Sequence, residues 1–194
     1  RRNMPLVSDI VSVRSASQLP TEGETLGARG NTAHVVLNAL GSIGATPLWG
    51  SATWAAELTW SQWLSVTQGA QYFKGRDNYV GIDRVSKSAT GLALNFTPTW
   101  YQVFPGMDLL MPLSYSIGLS GNSAVATGGS KNAGSFAAGL GLDVYSKYRF
   151  DLKYVGYFGD TTLNAAGTAV AVANGSQALL KDRGAVFLTF KTTF

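Results

Sequence analysis

Val186-Phe187-Leu188-Thr189-Phe190-Lys191-Thr192-Thr193-Phe194 alternates along its whole length. Val186, Leu188, Phe190, Thr192 and Phe194 fall on one side, and Phe187, Thr189, Lys191 and Thr193 on the other, which is mostly polar. Successive side chains of a β-strand point to opposite faces. A sustained period of two therefore reads as a strand with one apolar face.

The same period recurs upstream. Phe150, Leu152, Tyr154, Gly156 and Phe158 alternate with Arg149, Asp151, Lys153, Val155 and Tyr157. Phe136, Ala138, Leu140, Leu142 and Val144 alternate with Ser135, Ala137, Gly139, Gly141 and Asp143. Met107, Leu109, Met111, Leu113, Tyr115, Ile117 and Leu119 share a face opposite Asp108, Ser114, Ser116 and Gly118. Leu92, Leu94, Phe96 and Trp100 oppose Asn95, Thr97, Thr99 and Tyr101, and Trp54, Ala56, Leu58 and Trp60 oppose Glu57, Thr59 and Ser61. The first clear strand alternates Val35, Leu37, Ala39 and Ile43 with His34, Val36, Asn38 and Ser42. About seven strands of roughly 10 to 13 residues are predicted between residues 32 and 194, longer than the usual globular strand and suited to a tilted membrane crossing.

The connections alternate in length. Short turns are read near Pro47-Leu48-Trp49, Phe104-Pro105-Gly106 and Tyr145-Ser146-Lys147, and long loops over 67–88, 121–132 and 160–183. Short turns at one rim and long loops at the other are the asymmetry of outer-membrane barrels, whereas a soluble sandwich has no reason to sort its loops by parity. Trp49, Phe104, Tyr145 and Tyr148 fall at the short-turn ends, and Trp60, Trp63 and Phe158 near the long-loop ends. Those are the levels at which amphipathic rings settle at membrane interfaces. The expected fold class is all-β, a transmembrane antiparallel β-barrel of the bacterial outer membrane, forming one domain over residues 1–194. Residues 1–30 are expected to be mostly an extracellular loop. An aromatic final residue then sits at the periplasmic rim, and Phe190 and Phe194 resemble the recognition signal read by the barrel-assembly machinery. An odd number of strands leaves two open edges, and unpaired backbone groups cannot face hydrocarbon, so further strands are expected before residue 1.

Composition agrees. Charged residues make up 13% of the 194, about half the usual share of roughly 25%. No apolar run approaches the roughly 18 residues of a membrane helix. With no Cys there are no disulfides, thiolate nucleophiles or Cys-based metal sites, and a single His34 leaves no multi-histidine site. No metal and no cofactor are expected. A net charge of +4 without a Lys/Arg block gives no reason to expect nucleic acid as a partner.

Several segments resemble the Pseudomonas-type outer-membrane family known as domain of unknown function 1302 (DUF1302). They are Arg2-Asn3-Met4-Pro5-Leu6, Ala45-Thr46-Pro47-Leu48-Trp49, the run from Phe96 through Pro98-Thr99-Trp100-Tyr101-Gln102-Val103-Phe104-Pro105-Gly106-Met107 to Asp108, Pro112-Leu113-Ser114-Tyr115-Ser116 and Tyr148-Arg149-Phe150-Asp151-Leu152-Lys153-Tyr154. Lys181-Asp182-Arg183-Gly184 and Lys191-Thr192-Thr193-Phe194 match as well. The resemblance implies a barrel associated with uptake or export of hydrophobic compounds, often beside a lipoprotein-carrier-like periplasmic partner, with this chain as roughly its last third. The family has no settled biochemical activity.

Parity places His34, Asn38, Glu57, Asp108, Asp143, Arg149, Asp151, Lys153 and Lys191 on the polar, lumen-facing side. They are candidates for a polar pathway that selects solutes. The alternative is structural pairing of Asp143 or Asp151 with Lys153 or Lys191. His34 and Asn38 suggest the base and orienting group of a Ser-His-Asn hydrolase. A spacing of four on a strand separates them by about 13 Å, too far for direct contact, and no catalytic residue is assigned. Pro98 and Pro112 each delete a ladder donor and are expected to mark a bulge or bend. The loop over 67–88 carries Lys74, Arg76, Asp77, Asp83, Arg84 and Lys87 and suits lipopolysaccharide phosphates. The loop over 160–183 either folds inward as a constriction or lies on the surface. The expected function is passive passage of hydrophobic or amphipathic small molecules across the outer membrane, without enzymatic chemistry. The alternatives are an envelope-assembly barrel that docks partners and, third, a barrel-embedded lipid hydrolase.

Overall fold

The computed structural model describes residues 1–9, 27–125 and 128–193. The chain is all-β and its main sheet is antiparallel, with strands following one another in sequence order. After the two-residue β1 (Met4–Pro5) come β2 (Arg29–Ile43), β3 (Ser51–Gln68) and β4 (Ser88–Phe104). Next are β5 (Met107–Leu110) and β6 (Leu113–Ser120), two halves of one crossing, then β7 (Gly134–Val144) and β8 (Tyr148–Phe158). A small separate hairpin, β9 (Thr161–Leu163) with β10 (Val170–Ala173), and a one-turn helix α1 (Ser176–Leu179) precede β11 (Ala185–Thr192).

The turns at one rim explain the tight reversals there. Pro105-Gly106 joins the paired residues Phe104 and Met107, and Gly106 takes φ +73°. Proline pre-sets the first corner of such a turn, and glycine tolerates the left-handed second corner. At the next reversal Tyr145 and Ser146 are both left-handed, with φ of 52° and 54°. Thr46 caps the first turn by accepting the amide hydrogens of Leu48 and Trp49 at its hydroxyl.

Neither proline marks a bulge. Pro98 is fully buried and stays in register with Ala52, without a bulge. On its other side the ladder is interrupted between Phe96↔Leu113 and Thr99↔Leu110. Pro98 still accepts the Met111 amide hydrogen at 3.0 Å, and Pro112 accepts that of Gly139 at 3.0 Å. Each proline loses only its own donor, so the strand is notched but register is kept. The bulge lies nearer the turn, between Trp100 and Phe104, where Gln102 is left-handed (φ 49°) and its amide donates to Asp108 Oδ1 at 2.8 Å.

Two features characterise this sheet. First, it is a single layer. Leu37, Leu58, Leu92 and Ile117 lie in one cross-strand row, and Trp54, Phe96, Leu113, Ala138, Tyr154 and Val186 in another. Among the described residues nothing covers this apolar face: Leu37 is 62% exposed, Leu152 50% and Leu188 79%. Among the described residues the only large aliphatic or aromatic side chains that are buried are Leu6, Phe73 and Val85. All belong to a small cluster with Ala28 and Ala124 at the long-loop end. Second, the sheet is open among the described residues. β2 carries only β1 on its outer side, at Met4↔Gly30 and Pro5↔Arg29, and β11 pairs only with β8.

Candidate functional site

Register decides which side chains share a face. Asn38 lies opposite Glu57, Glu57 opposite Ala93, and Ala93 opposite Ser116. Farther along, Asp108, Asp143, Arg149 and Lys191 form one continuous cross-strand row. Asp151 and Lys153 alternate with Arg149 on the same side of β8, and His34 stands two positions from Val36 on the side of Asn38. All nine predicted residues therefore lie on one face, opposite the apolar one. Most of them form two groups toward opposite rims, with Asn38 and Lys153 outside both.

The first group is an ion-pair chain near the short turns. Arg149 Nε donates to Asp151 Oδ1 at 2.9 Å and lies near Asp151 Oδ2 at 3.1 Å. Its Nη1 stands 3.9 Å from Asp143, and Lys191 Nζ stands 3.8 Å from Asp151 Oδ2. The expected Asp151–Lys191 pair is present, and Arg149 adds the links to Asp143 and Asp151 that the sequence reading did not name. Lys153 falls in register with Gly139 and Phe187, away from this chain. Asp108 is engaged in closing the Gln102 bulge. Half-exposed pairs of this kind stabilise by about 0 to 1 kcal/mol each, so their greater consequence is the field they set along the face.

The second group lines a cavity of about 440 Å³ toward the long loops. His34, Glu57, Thr59, Ser61, Ser116 and Ser123 are among its walls. His34 Nε2 pairs with Thr32 Oγ1 at 2.8 Å, and Thr32 is 2% exposed. Ser61, directly across from His34, pairs instead with Ser123 Oγ at 3.3 Å. A serine does stand at the height of the histidine, yet the two are not hydrogen-bonded to one another, and Asn38 sits in register with Glu57. The parts of a hydrolytic triad are not assembled here. Alternation put Ser61 on the polar face but could not name His34 as its neighbour across the ladder, and Ser123 lies in a loop where alternation says nothing.

Loop residues 121–125 and 128–133 reach over this cavity, and their anchoring is specific. Asn122, 9% exposed, donates through Nδ2 to the carbonyls of Ile82 and Arg84 and accepts the Lys131 amide hydrogen at Oδ1. The Val7 amide donates to Ala124 O at 2.8 Å, which ties the N-terminal segment to the same loop. Within 69–87, Lys74 pairs with Asp83, and Arg76 with Asp9 at 2.6 Å, so Arg84 and Lys87 are the basic side chains left exposed there. Lys87 lies over the Trp63 ring at 3.7 Å. The segment over 160–183 is neither a plain surface loop nor a plug: the β9–β10 tip is exposed, while Gln177 of α1 reaches the cavity.

Aromatic rings gather at both ends. Trp49 meets Phe96 edge-on at 5.4 Å, and Trp100 Nε1 donates to Leu48 O at 2.6 Å near the short turns. Trp63 meets Phe73 at 5.2 Å near the long loops. The Thr193 amide donates to Lys147 O at 3.0 Å, which brings the end of β11 to the short-turn rim. Phe190 packs on Phe150 at 4.9 Å, and Phe194 lies outside the described residues.

The sequence model of the family described as "Protein of unknown function (DUF1302)" matches residues 1–194. The chain belongs to the DUF1302 family. No curated protein and no solved structure matches it. What the DUF1302 assignment adds to the geometry is kinship along the entire chain, from β1 through β11, so the cavity and the ion-pair chain both belong to the family region.

Proposed function

We propose that this DUF1302 chain forms the wall of an outer-membrane β-barrel that lets hydrophobic or amphipathic small molecules cross passively. The observation that carries the reading is the division of the sheet into two faces. One bears exposed Leu, Phe, Trp and Val side chains over its breadth, and the other bears the charges. Exposed apolar patches beyond a few hundred Å² are rare on soluble monomers and mark a membrane or protein contact. In hydrocarbon the same face needs no cover, and the backbone is satisfied by the ladder. Strands of 11 residues in β7 and β8, and of 15 to 18 in β2, β3 and β4, are long enough for a tilted crossing.

In this reading the edges of β2 and β11 are closed by further strands, and the polar face lines the lumen. The Asp143–Arg149–Asp151–Lys191 chain acts at the periplasmic rim as a mixed-charge ring that passes neutral solutes more readily than ions. Arg84 and Lys87, beside Trp63, meet the lipopolysaccharide phosphates. A lipoprotein-carrier-like periplasmic partner would approach from the short-turn side. The cavity on the polar face favours passage over a purely structural, partner-docking barrel.

Single-channel current through the protein in a planar bilayer, taken at several salt concentrations, tests the reading. Steady ohmic steps are expected. Silence from demonstrably folded protein overturns the open pathway.

A further inference from the structure

We propose that the cavity on the polar face is a binding site for an uncharged, flat ring compound bearing hydroxyl groups at its two ends. This rests on the passage reading above and narrows its solute class.

The floor of the cavity is unusually even. Its inward positions along β4 are Gly91 and Ala93, while buried Ala89 and Gly118, the latter overlain by the Ser130 carbonyl, close the floor at its loop end. None projects beyond a Cβ, so a planar ring can lie against the sheet without meeting a side chain. Gly91 is held to that size, because a Cβ there would stand 2.9 Å from Thr59 Oγ1.

Polar groups rise on both sides of this floor. Glu57 and Ser116 are each in register with Ala93, one from β3 and one from β6. Neighbouring strands lie about 4.8 Å apart, so their Cα atoms are separated by about 10 Å. That span suits two fused rings with a hydroxyl at either end. Glu57 offers a carboxylate that only accepts, which matches a ligand O–H. Ser116 Oγ and Ser135 Oγ share one hydrogen bond at 3.0 Å, and a pair of hydroxyls joined by a single bond keeps one O–H to donate. Ser61 and Ser123 repeat the arrangement at the loop end.

Charge and size complete the argument. Glu57 opposes an anion, while Arg1 in the same lining offsets it toward a cation, so a neutral ligand meets the least resistance. The ion-pair chain lies at the other end of β7 and on β8 and β11, toward the opposite rim, and does not enter this cavity. A volume of about 440 Å³ lies within the range of single small-ligand pockets.

Calorimetric titration of the full chain in detergent micelles, against empty micelles, tests the site. The probes are 2,6-dihydroxynaphthalene, naphthalene and naphthalene-2,6-disulfonate. Saturable binding is expected for the dihydroxy compound alone. Ala93→Leu, which raises the floor, should weaken it about tenfold or more, and Glu57→Gln should weaken it roughly fivefold. Ser116→Ala serves as the second probe of the walls if Ala93→Leu does not fold, as judged by heat-modifiable gel mobility. Equal binding of naphthalene or of the disulfonate overturns the proposal, as does unchanged affinity in the folded variants. Uptake of the dihydroxy compound into proteoliposomes separates this failure from that of the passage reading. Passage without saturable binding sinks the site alone, and saturable binding without passage sinks the passage reading alone.

Discussion

Ser146 shows how much a single backbone angle can matter. It and Tyr145 sit at φ 54° and 52°, in the left-handed region that a residue with a Cβ enters at a cost of about 1 to 2 kcal/mol. Ser146→Gly should therefore stabilise the fold by roughly 1 kcal/mol. Equilibrium urea unfolding in lipid vesicles measures it, and no gain would mean that the turn relaxes elsewhere. Asp9 offers a pH handle at the opposite rim. Its hydrogen bond to Arg76 holds its carboxyl below the ordinary carboxylate range, with the Arg76 charge adding to the effect against desolvation. Because the folded value is depressed, the contribution is fully present above the unfolded value of about 3.9. It is lost as pH falls through the folded value. Amide exchange at Asp9, whose N–H donates to Tyr72 O at 2.9 Å, should quicken in that acid window. Arg76→Gln should make the exchange fast at neutral pH as well. Tyr79 moves the other way, since burial, reinforced by its hydrogen bond to Asp83, pushes its phenol up.

Elements were the most legible scale in the sequence. Alternation alone placed Leu152 on the apolar face and Lys153 on the polar one, because side-chain direction in a strand is fixed by parity. It could not say that Arg149, not a lysine, would bridge Asp143 and Asp151, because that depends on how neighbouring strands slide past each other. Nor could it place Asn122, whose partners at Ile82 and Arg84 lie in another loop. Pro98 and Pro112 are expected from the sequence to mark a bulge or bend because each lacks a donor. The sheet instead keeps its register by retaining both carbonyls in the ladder, and Gln102 takes the bulge. A pair of arginines tests the facial division. Leu152→Arg, on the apolar face, should destabilise by about 2 to 4 kcal/mol if it meets hydrocarbon. Thr189→Arg, on the polar face opposite Asp151, should change stability by less than about 1 kcal/mol. Unfolding in vesicles compares the two, and equal costs would argue against a lipid-facing side.

The whole molecule presents the physical question most clearly. Among the described residues of this 194-residue chain only Leu6, Phe73 and Val85 are buried large aliphatic or aromatic side chains, so those residues gain little from a conventional core. Its strands hold through the ladder, and the proposed membrane setting would supply an apolar medium for its apolar face. The sequence contains no Cys, so single cysteines can carry spin labels without background. The decisive measurement is the accessibility of labels along β8, from Arg149 through Tyr157, to oxygen and to a water-soluble nickel chelate in lipid vesicles. Labels replacing Phe150, Leu152 and Tyr154 should favour oxygen and exclude nickel, while those at Asp151, Lys153 and Val155 should do the reverse. Uniform nickel access at both sets would contradict a membrane-embedded wall.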